Sequence, residues 1–147
     1  MFLSRTDASM DAKGRVAVPA DFRSMLGQAR EEAVFVFPHF SGGYLEGGGY
    51  ALMQEYQAEI ENRPRLDPER RKLAHAILGR TKQLGFDANG RITLPAAFRE
   101  HAGLKTGEKV VFVGLGSHFE IWNPQAYEAH AQEAGDFANS YFGGEAA

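Results

Sequence analysis

Polar and apolar positions alternate along Arg15-Val16-Ala17-Val18, so that Val16 and Val18 share one face of an extended segment and Arg15 and Ala17 share the other. With the valines inward, Arg15 points outward beside the preceding turn. That turn, Asp11-Ala12-Lys13-Gly14, has an aspartate able to bond the backbone ahead of it and a glycine able to take positive φ, which predicts a hairpin entered from a strand over Thr6 to Met10. Pro19 suits the first position of a short helix, Ala20 to Leu26, with Gly27 as its stop and Phe22, Met25 and Leu26 on the core side. Arg23 falls on the opposite side of that helix or at its edge.

Further along, Val34 to Phe37 is a β-rich apolar run closed by Pro38, and Tyr44 to Glu46 reads as a short return strand before the breaker Gly47-Gly48-Gly49. Leu52, Met53, Tyr56 and Ile60 have helical spacing over Tyr50 to Glu61. After a connector containing Pro64, Asp67-Pro68 starts a second helix whose apolar face is Leu73, Ala74, Ile77 and Leu78, ended by Gly79. The plan then repeats. Thr81 to Phe86 is a strand, Asp87 to Gly90 a turn, Arg91 to Leu94 a return strand, and Ala96 to Ala102 a short helix between Pro95 and Gly103. Lys109 to Val113 and Phe119 to Trp122 are strands, and Asn123-Pro124 opens a helix to about Ala134, leaving Asn139 to Ala147 as a loosely ordered tail.

The repetition is close in letters as well as in pattern. DAKGRVAVPADFR at Asp11 to Arg23 and DANGRITLPAAFR at Asp87 to Arg99 match at 8 of 13 positions with an offset of 76. Two copies are too few for a solenoid. They predict two small modules related by a pseudo-two-fold axis, each too small to bury its own apolar face. The division expected is residues 1–60 for the first copy with its helix, 61–80 for a helical connector, 81–135 for the second copy, and 136–147 for the tail, the two copies forming one compact domain.

Composition narrows the function classes. The 147 residues include no cysteine, which excludes a disulfide framework and thiolate metal sites. No stretch has the length of a signal peptide's apolar core or of a membrane span, so the reading is a cytoplasmic protein with no membrane partner. The net charge of -3 weighs against nucleic acid, but the charges are segregated: residues 1–30 carry +2 and residues 61–82 carry +4, whereas 31–60 and 119–147 each hold five acids and no base. One face can therefore be basic on an acidic molecule. For residues 61–82, solvated helix faces explain the charge equally well.

Other constellations have plain explanations. Asp11 and Asp87, at equivalent positions, could form a proton-sharing pair, but each stands in turn spacing before Gly and Arg, and turn capping accounts for both. His39, His75, His101, His118 and His130 show no metal-ligand spacing, so no metal and no cofactor is expected. The glycine runs at 42–43 and 47–49 lack the lysine and hydroxyl of a phosphate loop. The aromatic runs lack interleaved basic residues and read as core or subunit interface. Without a catalytic constellation the chain is read as no enzyme, with no small-molecule substrate.

The paired motifs DAKGRVAVPADFR and DANGRITLPAAFR, together with FVGLGSHFEIW, resemble the MraZ family of bacterial transcriptional regulators over nearly the whole chain. The resemblance implies an α+β fold, a swapped-hairpin (AbrB/SpoVT-like) β-barrel built from two tandem copies with helices after each. It also implies a ring-like homo-oligomer, associated with the nucleoid, whose turns face double-stranded DNA and bind tandem promoter repeats ahead of the division and cell-wall gene cluster. Carried over by motif, the DNA-facing residues are Lys13, Arg15 and Arg91, together with Arg23 and Arg99. Asn89 stands where the first copy has Lys13, so the second turn has one charge fewer. Two alternatives remain beside this reading: salt bridges from Arg15 and Arg91 to Asp11 and Asp87 that only brace the turns, and a structural or antitoxin-like module that contacts another protein.

Overall fold

A computed structural model describes residues 1–28 and 33–143. In chain order the elements are β1 (Arg5–Ser9), β2 (Arg15–Ala17), α1 (Ala20–Gln28), β3 (Ala33–Pro38), β4 (Leu45–Gly48), α2 (Tyr50–Glu61), α3 (Pro68–Ala76), a 3-10 turn at Leu78–Arg80, β5 (Lys82–Gly85), β6 (Arg91–Thr93), α4 (Ala96–Ala102), β7 (Lys109–Gly114), β8 (Phe119–Trp122) and α5 (Pro124–Gly143). The strands form an antiparallel six-stranded sheet in the order β1-β7-β8-β4-β3-β5 and a separate two-stranded ribbon, β2-β6. The α+β class holds. The closed barrel does not: β1 and β5 are the two edges of an open sheet, and the ribbon strands, three residues each, are cut short as Pro19 and Pro95 lead into helices.

Pairing runs between the copies. β1 pairs with β7, Arg5 facing Val113, and β5 pairs with β3, Lys82 facing Val36. In the ribbon Val16 faces Ile92, its own counterpart at the offset of 76. That register is the one a pseudo-two-fold relation between the copies expects. The expected hairpins are consequently only partial: the first turn closes, with Asp11 N–H donating to the Arg15 carbonyl at 2.9 Å, but β1 and β2 part after the single bridge Met10 to Val16. The distant strand β7 offers β1 a full ladder, and a turn alone cannot hold two strands against it.

The main core lies between the ribbon and one face of the sheet, where Val16, Val18, Phe22, Ile92, Leu94 and Phe98 meet Val34, Val36, Val110 and Phe112, all buried. Its apolar area is shared by both copies, so neither can bury its face alone. Phe37, Ile60, Ile77, Leu52 and Met53 form a second cluster with α2 and α3 on the sheet's other face, and Val111, Val113 and Trp122 form a third with Tyr127 of α5.

Several boundaries differ from the sequence expectation. Gly27 lies inside α1 rather than stopping it. Gly47 and Gly48 belong to β4 instead of breaking the chain, because the Phe119 ring and the Leu52 side chain pack where their Cβ atoms would stand, 2.7 and 2.8 Å away. α3 ends at Ala76, which leaves Leu78 exposed. Asn123 caps α5 as expected, its Oδ1 accepting from the N–H groups of Gln125 and Ala126, but the helix runs on to Gly143. Of the expected loose tail, residues 144–147 lie outside the described residues.

Candidate nucleic-acid interface

Each turn is built by its aspartate. Asp11 Oδ1 accepts from the N–H groups of Lys13 and Arg15 at 2.9 and 2.8 Å, and Oδ2 accepts from Arg15 Nε at 2.6 Å. Asp87 repeats this with Asn89, Arg91 and Arg91 Nε at 2.8, 2.9 and 2.8 Å. Gly14 and Gly90 complete the turns at φ +80° and +72°, a region costly for residues with a Cβ. The N–H of Arg15 holds the Asp11 carboxyl down at about 2, and that of Arg91 lowers Asp87 in the same way, since hydrogen bonds to a carboxylate favour its charged form.

The ribbon sets the two turns side by side. Val16 and Ile92 point into the core, leaving Arg15, Ala17, Arg91 and Thr93 on the outward face. The ribbon's ends are tied reciprocally: Val18 N–H donates to the Gly90 carbonyl at 3.2 Å and Leu94 N–H to the Gly14 carbonyl at 2.9 Å. Arg23 and Arg99 extend this exchange. Arg23 Nε donates to the Val18 carbonyl at 3.1 Å and its guanidinium lies over Gly90, while Arg99 Nη1 donates to the Leu94 carbonyl at 2.7 Å and lies over Gly14. Each arginine thus spans from its own return strand to the other copy's turn.

All five residues singled out by motif come together here, in differing states. Arg15 and Arg91 form the ion pairs that brace their turns and keep side chains 34% and 29% exposed. Arg91 Nη1 also reaches Asp11 Oδ2, at 3.7 Å. Lys13 is exposed, and its ammonium has no ion pair among the described residues. Five cations against two carboxylates leave the patch positive on an acidic chain. Thr93, an exposed hydroxyl beside Arg91, was not singled out by motif; its place two residues after an outward arginine in a strand was the available signal. In the basic stretch 61–82, Arg63 ahead of α3 is paired to Asp67 and Glu69.

No helix among the described residues is long and apolar enough to cross a membrane. A family model described as "MraZ protein, putative antitoxin-like" matches residues 77–141. A Transcriptional regulator MraZ from Caulobacter vibrioides is 41% identical over 138 residues, 94% of this chain and 86% of that one. Those of Parvibaculum lavamentivorans and Rickettsia akari are 44% and 35% identical, over 90% and 95% of this chain and 82% and 92% of their own lengths. Such identity, along almost the full length, places this chain in the MraZ family, whose relatives named here are transcriptional regulators.

Proposed function

We propose that the chain is a transcriptional regulator that binds double-stranded DNA in a sequence-specific way, through the two Asp-x-x-Gly-Arg turns of the β2-β6 ribbon. The observation that carries this reading is the ribbon itself: it faces outward, sets both turns together, and gathers Lys13, Arg15, Arg23, Arg91 and Arg99 around two aspartates. A two-stranded ribbon fits the DNA major groove, where a good bidentate arginine contact to guanine gives about 1–3 kcal/mol of discrimination. Arg15 and Arg91, braced at Nε, arrive already oriented; Arg15 keeps its outer nitrogens for such contacts, whereas Arg91 shares Nη1 with Asp11 Oδ2. Lys13 supplies a phosphate contact.

One ribbon offers few contacts. In this reading the chains assemble into a ring-like homo-oligomer at the nucleoid, and repeated ribbons engage tandem promoter repeats ahead of the division and cell-wall gene cluster, gaining by effective concentration. A salt-titrated binding assay on DNA with one and with several repeats tests the proposal, with light scattering to count subunits. Tighter binding to repeats than to scrambled DNA is expected; no binding at low salt, or binding indifferent to sequence, overturns it. The antitoxin-like alternative has one observation in its favour, the exposed Phe137, Tyr141 and Phe142 at the end of α5, a surface suited to protein contact.

A further inference from the structure

β4 and β8 are the central strands of the six-stranded sheet, and their register sets Glu46 directly opposite Glu120. The two side chains lie on the face away from the ribbon and are 3% and 8% exposed. Like charges facing each other in a ladder are destabilising, and a buried carboxylate needs a compensating partner. No lysine or arginine pairs with either among the described residues; the ion-pair partners of Glu46 are two imidazoles, His39 at 3.4 Å and His118 at 3.8 Å.

Ligand atoms of Glu46, His118 and Glu120 all lie within 4.8 Å of one another. The 3.8 Å from His118 Nε2 to Glu46 Oε1 is too long for a hydrogen bond. It is close to the spacing an ion imposes, since bonds of about 2.0–2.2 Å in a tetrahedral shell set ligand atoms roughly 3.3–3.6 Å apart. Each of the three side chains is also held from behind. Tyr56 Oη donates to Glu46 Oε2 at 2.5 Å, Trp122 Nε1 donates to Glu120 Oε1 at 2.8 Å, and Ser117 Oγ lies 3.4 Å from His118 Nδ1. His39 accepts the Ser41 N–H at Nδ1, so in its neutral form it turns an N–H toward Glu46. Outer partners of this kind orient metal ligands and fix the imidazole tautomer. A cavity of about 230 Å³ bordered by Glu46, His118, Ser117, Tyr56, Glu55 and Glu59 supplies an acidic approach and room for water.

We propose that Glu46, His118 and Glu120 form a binding site for one divalent first-row metal ion, of the Zn²⁺ or Mn²⁺ class. The ion neutralises the facing carboxylates and ties the central strands of the two copies together. Glu46 is distant in the chain from His118 and Glu120 and only one ligand is a histidine, which is why local histidine spacing gives no sign of the site.

Equilibrium dialysis of the full chain, stripped with chelator and then exposed to Zn²⁺ or Mn²⁺, with elemental analysis and a thermal melt, tests the site. One ion per chain and a raised Tm are expected. Glu120→Gln and His118→Asn should each weaken uptake at least tenfold, and Tyr56→Phe about tenfold through its hold on Glu46. His118 is 24% exposed at its side chain, so His118→Asn decides the matter if Glu120→Gln fails to fold. No uptake of either ion at micromolar concentration, or uptake unchanged in His118→Asn, overturns the proposal and leaves a shared proton to neutralise the pair.

Discussion

Arg91 Nη1 lies 3.7 Å from Asp11 Oδ2, an ion pair that joins the turn of one copy to the turn of the other. Arg15 makes no such reach to Asp87 among the described residues, so Asp11 serves two arginines and Asp87 serves one. Asp11→Asn should therefore lower Tm more than Asp87→Asn, a difference that calorimetry on the two variants measures. Equal shifts would show that the link between turns contributes nothing.

Acid should loosen the ribbon in a defined window. The folded-state carboxyl of Asp11 is held at about 2, and that of Asp87 is also lowered, each first by the N–H of its own arginine. A depressed folded value contributes stability that is present above the ordinary carboxylate range, near pH 4, and is lost as pH falls through the folded value. Stability should fall from about pH 4 toward pH 2, and the double variant Asp11→Asn/Asp87→Asn should show a shallower fall by denaturant titration across that range.

The unequal turns give a charge prediction. Lys13→Ala should reduce the slope of log affinity against log salt by roughly 0.9, the value of one phosphate contact, with Tm unchanged because its ammonium braces nothing. Asn89→Lys should steepen the slope by about the same amount if the second turn also lies against DNA. Arg15→Ala should weaken binding and lower Tm together, since that side chain has both roles.

Gly14 and Gly90 each combine a positive φ with a close arginine from the other copy. Alanine at either should cost about 1–2 kcal/mol for the backbone alone. Gly14→Ala should cost more than that, because Arg99 must also give up its 2.7 Å bond to the Leu94 carbonyl to make room. Chemical denaturation of the single variants and of Gly14→Ala combined with Arg99→Ala separates the two contributions.

Local pattern determined much of this protein without help from the tertiary structure. The alternation in Arg15 to Val18 and its copy decided which side chains are inward and which outward, because a strand's period of two leaves no other assignment once one face is apolar. Asp67-Pro68 and Asn123-Pro124 marked helix starts, because a cap is satisfied within its own turn. The match of the two motifs at 8 of 13 positions was enough to imply two related modules. What local pattern cannot carry is partner choice. That β1 joins β7 and β5 joins β3 depends on ladders between segments far apart in the chain, and so does the open sheet that replaced the expected barrel. The glycines of β4 read as a breaker until Phe119 and Leu52 are seen to fill the space above them. Arg23 and Arg99 became braces of the opposite turn, and Glu46 came to face Glu120, only when the two copies were folded against each other, since the energy of each contact resides in a neighbour that the local sequence does not contain.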